Sequence, residues 1–586
     1  MKKKYVQEKM VNWYQPKMLL SVGLKAIVSG TFGNYADRRE LEAALDTNIS
    51  NEKEWLELKN EYCSGNEIWV DILGDTGDGF NSTFTVAKSV AKKTLDLEYL
   101  DDKGVLKKEI TQRGKILVIS GDEVYPFPTL SAYTNKFKIP FGAAADPSEE
   151  IKQEKERPHL YVIPGNHDWY DGLGNFIKLF CQQRWIGIWS TKQHRSYFAL
   201  PLPNNYWIWA TDIQLNSDLD TPQQQYFCSV AREKMKEGDK IILVTAEPAW
   251  VYKEMHKTDF SFNRLKFFID NYIHNKDNRI GKSFKLAATI TGDLHHYARY
   301  CSQDNPQGHQ YITAGGGGAF VHLTHNLPQT LKAINEKNIN LQKTFPEKKE
   351  SFNLLLKNFA FPFMNLGFTT LLLFLYLLFF WLLRSGEPGY YGTVSGAYPP
   401  VLSFTKHLTN ILLYRPVITL LTLGLAFGFY AFADTNVRSK AAKGVGIIHG
   451  LVQVIAIHLI LYFLFKFVVY EGHSWELNLV IIFMICLVAS LFGGFIMGTY
   501  LYCTSRLLDM HINEASSSLA SPDYKNFLRL RVHEKGVTIY SVGIKKVPRD
   551  WKQHYHEGEE DPFSFTGSEI KPFLIERPIT ILNEKL

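Results

Sequence analysis

A chain of 586 residues is too long for one ordinary hydrophobic core, and with 45% hydrophobic and 21% charged residues it is not a disordered polymer. Its net charge of +6 and pI near 8.6 come from Lys and Arg spread along the chain and thickened beside apolar runs, which favours an anionic membrane surface and argues against nucleic acid. The six cysteines (Cys63, Cys181, Cys228, Cys301, Cys486 and Cys503) include no CxxC pair and read as reduced thiols of a cytosol-facing protein.

The opening Met1-Lys-Lys-Lys4 could begin a secretion signal, but the apolar stretch at 18–28 is interrupted by Lys25 and no convincing cleavage site follows, so no cleaved signal is expected. Residues 1–66 read as a helical lead-in. From Ile68 to Phe320 strand and helix signals alternate, which predicts a layered α/β domain over 67–350. Apolar strands at 68–75 and 115–122 each end in an acid, with a helix expected over 82–95 between them. Pro126 and Pro128 then force an extended path. The strand that starts at Tyr161 stops at Gly165 and presents Asn166, His167 and Asp168 in succession. Strands follow at 195–200 and 206–212, a helix opens between Asp218 and Gln225, and buried strands lie at 241–246 and from Lys285 to Gly292. A last strand runs into Gly315–318, which only glycine's free φ is expected to allow. Without a following Lys-Ser/Thr this run reads as a tight turn and not as a nucleotide loop.

Four apolar spans are expected in a transmembrane domain over 351–503, at about 359–383, 417–432, 445–470 and 477–501; the second is short for hydrocarbon and starts at Pro416. Lys343, Lys348, Lys349 and Lys357 precede the first span, and Arg438, Lys440 and Lys443 lie between the second and third. The 471–476 loop has no Lys or Arg, whereas the loop at 384–415 carries three, against the trend. On balance the positive-inside rule puts the soluble domain and both termini in the cytosol. His449 and His458 are nine residues apart on the third span, hence on opposite helix faces, so a neutral hydrogen-bonded His458 and a snorkelling Lys466 are expected in place of a two-histidine cofactor site. The tail, 504–586, is polar, with a hairpin from Phe527 to Val542 that is expected to pack back on the soluble domain as an added edge.

The informative residues sit at strand ends, where ligands collect in open α/β sheets. They are Asp75, Asp122, the Asn166–His167–Asp168 sequence, and Asp293 with His295 and His296: acids, an amide and imidazoles, the donor types of a metal site. In order they read Asp75-Thr-Gly77, Gly121-Asp-Glu-Val-Tyr125, Gly165-Asn-His-Asp168, a strand end near Ala246 and Glu247, and Gly292-Asp-Leu-His295. These blocks resemble the calcineurin-like metallophosphoesterase family in its purple-acid-phosphatase-like spelling, over roughly residues 65–320. The first three blocks match. The last two depart, because the family's strand-end histidine is missing and the first histidine of its GHxH block is Asp293.

The resemblance implies a layered β-sandwich flanked by helices and holding two divalent or trivalent metal ions. Asp75, Asp122, Tyr125 and His295 would hold the first ion, and Asp122 would bridge to a second that Asn166 also binds. Tyr125 either ligates, as suits a hard ion, or packs above the site. Glu247 and Asp293 stand where the family has imidazoles, which favours Mn, Fe or Mg over Zn. The alternative is a second site that is weak or lost. His167 becomes the general acid, oriented by Asp168 or a neighbour. Asp78 is expected as a solvated turn residue, with a rival ligand to Asp75 as the alternative; His296 is expected to support the ligands or touch substrate, and Gly316 and Gly317 belong to the turn at the rim. The implied reaction is hydrolysis of a phosphate ester or anhydride, lipid-linked substrates being attractive beside membrane lipids, by in-line attack of metal-bound hydroxide. Two other readings stand beside it: a membrane sensor or scaffold that keeps the fold without turnover, and a transporter with a regulatory soluble domain.

Overall fold

The computed structural model describes residues 5–19, 21, 52–101, 103–145, 157–213, 219–256, 259–332, 334, 339–384, 404–433, 440–467, 474–557 and 561–583. The chain divides into two compact units. The first comprises Met1–Val11, Leu24–Ser351 and Ala520–Leu586; the second comprises Asn12–Gly23 and Phe352–Leu519.

The first unit is mixed α/β. Its strands in chain order are β1 (Ile68–Leu73), β2 (Thr94–Leu100), β3 (Leu106–Gln112), β4 (Ile116–Ser120), β5 (His159–Ile163), β6 (Trp185–Ile186), β7 (Trp189–Thr191), β8 (Phe198–Leu202), β9 (Tyr206–Ala210), β10 (Lys240–Val244), β11 (Lys285–Thr291), β12 (Tyr297–Ser302), β13 (Gln310–Ala314), β14 (Ile339–Phe345), β15 (Lys525–His533), β16 (Gly536–Ile544), β17 (Lys552–Tyr555), β18 (Phe563–Thr566), β19 (Pro572–Leu574) and β20 (Ile579–Leu582). Among the described residues one sheet has the order β19-β16-β15-β1-β4-β5-β7-β6, with β20 also on β16, and a second has the order β14-β12-β13-β11-β10-β9-β8. β1, β4 and β5 run parallel, as do β9, β10, β11 and β13, so that their carboxyl ends fall together within each sheet.

Both sheets are covered on both faces. Trp69, Leu73, Leu117, Ile119, Leu160 and Val162 join a core cluster with the helix Phe80–Ala91, while the alternate residues Val70, Ile72, Val118 and Ile163 are equally inaccessible. Burial on both faces explains why these strands read as continuous apolar runs and lack alternation. The tail hairpin of β15 and β16 pairs antiparallel with β1, from Ile68 opposite Val532 to Ile72 opposite Leu528. It is locked there by Arg529, whose Nε donates to Asp71 Oδ1 at 3.0 Å and whose Nη2 donates to the carbonyls of Val90 and Lys92.

Three sequence expectations are corrected. The helix expected over 82–95 ends at Ala91, and Leu95 belongs to β2 of a two-stranded hairpin with β3. The glycine run does not close its sheet, since β14 adds beyond β12. Nor do Gly315–318 need a left-handed backbone: none has a positive φ, and what excludes a side chain is close approach. Within the N-terminal lead-in, the described residues 5–11 have no regular secondary structure, and Glu52–Tyr62 is helical. The apolar stretch at 18–28 lies mostly outside the described residues.

Among the described residues the second unit holds three helices long and apolar enough to cross a membrane, within Leu366–Arg384, Lys440–Phe467 and Trp475–Leu508. A fourth candidate is the pair Phe404–Tyr414 and Pro416–Ala431, bent by 105° at Arg415. The first long helix starts at Leu366 and not near 359, because Pro362 and Asn365 interrupt the preceding turns. His458 is buried, with Nε2 3.0 Å from Thr422 Oγ1, whereas His449 stacks on Tyr500 at 3.9 Å, so the two imidazoles have different neighbours. The side chain of Lys466 and the loops at 385–403, 434–439 and 468–473, the second of which carries Arg438, lie outside the described residues.

Candidate metal centre

Three of the strand ends repeat one local design. β1, β4 and β11 each run into Gly-Asp, as Gly74-Asp75, Gly121-Asp122 and Gly292-Asp293, and all three aspartates take a left-handed backbone, with φ of 59°, 53° and 66°. That conformation costs roughly 1–2 kcal/mol for a residue with a Cβ, least for Asp and Asn. It turns each carboxylate sharply off its strand. The preceding glycines let the ends abut: a Cβ on Gly74 would stand 2.6 Å from Ser120 Oγ and 2.9 Å from Gly292 Cα. Backbone bonds tie the turns together, Asp75 N to the Gly121 carbonyl at 2.9 Å and Thr76 N to the Asp122 carbonyl at 2.8 Å.

Asp75, Asp122 and His295 converge on the hydroxyl of Tyr125. Its oxygen lies 3.0 Å from Asp75 Oδ1, 3.0 Å from Asp122 Oδ2 and 3.0 Å from His295 Nε2. The His295 Nδ1–H donates to the Phe320 carbonyl at 2.9 Å, which leaves Nε2 as the lone-pair atom aimed inward. A phenol has one proton, and here it faces three acceptors. At most one contact is a hydrogen bond unless further positive charge, as protons or as a metal cation, enters the cluster.

The titration behaviour points the same way. Burial first, then Asp122 and Asp293, hold the Asp75 carboxyl well above the carboxylate range; burial, then Asp168 and Asp293, do the same to Asp122. Asp293 is raised by burial, and Glu247 is pushed up to about 8 by burial and then by Asp293. Among the candidate ligands, Asp75 Oδ2 and Asn166 Oδ1 are buried acceptors without a hydrogen-bond partner. Among the described residues no group of three His, Cys, Asp or Glu stands ready to hold a metal ion; the point on which Asp75, Asp122 and His295 converge is filled by the Tyr125 hydroxyl. In donor chemistry, with carboxylates, an amide oxygen, a phenol and an imidazole of the right tautomer, the set fits hard cations.

The other residues singled out in the sequence divide. His167 is present at the centre: its backbone N donates to Asp122 Oδ1 at 2.9 Å, and its ring lies between Tyr125 and Tyr170, at 4.5 and 5.1 Å. Its Nδ1–H donates to the Pro126 carbonyl at 2.9 Å, and burial pulls its pKa down to about 4. Asp168 does not orient it. That carboxylate is fully buried and accepts from Tyr133 Oη at 2.6 Å, Gly165 N at 2.9 Å and Glu123 N at 3.3 Å, so it braces the loop. Asp78 is a brace too, not a solvated turn residue, accepting from Val11 N at 2.7 Å and Phe320 N at 3.2 Å.

Ala246, not Glu247, packs at the strand end: a Cβ on Gly121 would lie 3.0 Å from the Ala246 Cβ. Glu247 bonds Ser261, within electrostatic reach of Asp293. Gly316 and Gly317 bond main chain, the first accepting from Asn526 N at 3.1 Å and the second donating to the Gly74 carbonyl at 2.8 Å. Gly315 is the one against the site. His296 is fully buried, both ring nitrogens lack partners, and burial pulls its pKa down to about 3.

Sequence reasoning missed Tyr252, which donates to Asp293 Oδ2, and His322, whose ring stacks on His295 at 4.1 Å and whose Nδ1 accepts from His295 N at 3.0 Å. Neither has a spacing signal, since each arrives through tertiary folding.

No family model and no curated protein matches this chain. Two solved structures overlap part of it. One is a purple acid phosphatase from yellow lupin (Lupinus luteus) seeds, at 14% identity and TM-score 0.28, covering 44% of this chain and 46% of that one. The other is PhoD, at 10% identity and TM-score 0.26, covering 44% and 58%. The chain spans about half the length of these two structures. Superpositions this partial carry no argument.

Proposed function

We propose that the first unit is a metal-dependent phosphoesterase acting on phosphate esters or anhydrides, held at a membrane by the apolar helices with its catalytic face and both termini cytosolic. The observation that carries this reading is the meeting of Asp75, Asp122 and His295 on one phenolic oxygen, at the ends of strands from two sheets. Asp75, Asp122, Tyr125 and His295 are the residues for a first cation; Asp122 and Asn166, with Asp293 and Glu247 as further oxygen donors, are those for a second. The oxygen-rich set favours Mn, Fe or Mg over Zn. Bound there, the cations would neutralise charge developing on phosphoryl oxygens and lower the pKa of attacking water.

The remaining roles belong to the chain. With Nδ1–H committed to the Pro126 carbonyl, His167 exchanges protons at Nε2, the atom that would protonate the leaving-group oxygen. Burial disfavours the charged imidazolium, and a phosphate dianion beside it would favour it. Asp168 keeps the Gly165 turn closed, and so holds Asn166 and His167 in place.

Two observations favour a second reading, a ligand sensor without turnover: Ala246 offers no donor at its strand end, and Asp293 is engaged by Tyr252. Purified full chain incubated with Mn²⁺ and with iron, then assayed on a panel of aryl phosphate, nucleotides, phosphopeptide and lipid phosphates, separates the two. Turnover abolished by Asp122→Asn supports the enzyme. Tight binding of a phosphorylated compound with no turnover in any metal supports the sensor.

A further inference from the structure

The loop at 315–325 holds the candidate centre from behind. Ala319 N donates to the Asp75 carbonyl at 2.9 Å, the Phe320 carbonyl accepts from His295 Nδ1 at 2.9 Å, His322 N donates to the His295 carbonyl at 3.2 Å, and Gly315 lies against the Asp75 carboxylate. Two stretches of chain distant in sequence grip this loop in turn, and they are the two that flank the inserted apolar unit.

On the upstream side, Ser351 is the last residue of the first unit before that insertion. Its Oγ accepts from Thr324 N at 2.9 Å and from His325 N at 3.2 Å, and Thr324 Oγ1 donates to the Pro346 carbonyl at 2.8 Å. On the downstream side the chain rejoins the first unit at Ala520. Val321 N donates to the Ser521 carbonyl at 3.1 Å, Asn526 N donates to the Gly316 carbonyl at 3.1 Å, and between them the Lys525 ammonium donates to the Ala319 carbonyl. Lys525 is 0% exposed, and the carboxylates of Asp78, Asp523 and Asp75 are the charges that act on it. An apolar side chain would fill such a place without the desolvation cost of a buried ammonium. Packing alone therefore does not call for lysine there.

We propose that Lys525 and Ser351 are positioning residues for the metal centre: by fixing the 315–325 loop from the two chain crossings that flank the apolar unit, they set the orientation of His295 and the seat of Asp75. The inference rests on the metal reading of the site. It also makes the segment beyond the apolar helices part of the working centre, so that a chain cut before residue 520 lacks a piece of its site.

Two readouts on the purified full chain test it: Mn²⁺ binding followed by the electron paramagnetic resonance of free Mn²⁺, and amide hydrogen exchange across 315–325. Lys525→Met is expected to weaken Mn²⁺ binding by about tenfold or more and to speed exchange at Ala319 to Val321. Ser351→Ala is expected to act in the same direction at Thr324 and His325 with a smaller loss of affinity. The sign is diagnostic. A lysine acting only as a charge beside Asp75 would repel the cation, and its removal would tighten Mn²⁺ binding; that result overturns the proposal. Wild-type binding with both variants unchanged in affinity and exchange also overturns it and leaves the metal reading intact. A wild-type protein that takes up no Mn²⁺ overturns the metal reading and this proposal together. Should Lys525→Met fail to fold, Ser351→Ala decides by the same two readouts.

Discussion

Gly315→Ala is the sharpest perturbation the geometry offers, because it alters no donor and no charge. A Cβ built there stands 2.2 Å from Asp75 Oδ2 and 2.5 Å from the Leu294 carbonyl, whereas real Cβ atoms essentially never come within 3.0 Å. Both contacts lie inside that limit, so relative to the new Cβ the Asp75 carboxylate must give by about 0.8 Å and the Leu294 carbonyl, which is main chain, by about 0.5 Å. Misplacement on the order of 1 Å at a reacting centre costs roughly a hundredfold. Phosphoesterase turnover should therefore fall by about ten- to a hundredfold, with Mn²⁺ binding weakened in parallel. The control is Gly104→Ala, in the β2–β3 turn, where φ is +74° and nothing lies within 4 Å. It should cost roughly 1–2 kcal/mol of stability through its left-handed backbone alone and leave turnover unchanged. The assay is steady-state hydrolysis of an aryl phosphate beside a thermal melt of each variant. Gly315→Ala with wild-type kcat/KM and wild-type Mn²⁺ affinity would refute the reasoning that Asp75 is held in a space only glycine leaves open.

Other outcomes follow from the same contacts. His167→Gln should lower kcat by about 10²–10⁴ while Mn²⁺ binding stays at the wild-type level; a matching loss of metal would make His167 a structural or ligating residue instead. Tyr125→Phe removes the oxygen on which Asp75, Asp122 and His295 meet and should weaken metal binding measurably, and equal binding would reduce Tyr125 to a packing role. Asp168→Ala leaves Gly165 N, Glu123 N and Tyr133 Oη without their acceptor, at roughly 1–3 kcal/mol each by the cost of an orphaned buried donor, so its melt should drop sharply. Arg529→Met strands the buried Asp71 and should cost about 3–5 kcal/mol, most of it recovered in Asp71→Leu/Arg529→Met. A denaturation cycle in which the double variant is as unstable as the single would show that the pair stabilises the hairpin by more than mutual compensation.

Much of the site could be read from the chain because its residues sit in short blocks at strand ends. An apolar run broken by Gly-Asp or Gly-Asn-His announces a sharp turn, and Asp75, Asp122, Asn166, His167 and His295 all carried that signal. Asp293 carried it too, as the third Gly-Asp, with the left-handed turn of the other two. Roles were harder to read than places. Asp168 and Asp78 look like site acids in sequence, yet each points its carboxylate at backbone amides, a choice made by loops that only the fold brings near. Tyr252, His322 and Lys525 lie on segments without any strand-end pattern, the last of them 230 residues beyond His295 in numbering, so no local rule could have gathered them. The helix expected to run to Leu95 stops at Ala91 for a local reason, because alternation in β2, with Leu95 and Leu97 buried between exposed neighbours, outweighs the helical reading of 92–95.

Diffraction from crystals of the full chain grown with Mn²⁺, measured for anomalous scattering at the manganese edge, tests the central claim most directly. The account predicts anomalous peaks lying among Asp75, Asp122, Tyr125 and His295 and, beyond Asp122, beside Asn166, with both lost in Asp122→Asn. Ordered protein with those side chains in place and no anomalous density among them, under saturating Mn²⁺ and again under iron, would contradict it.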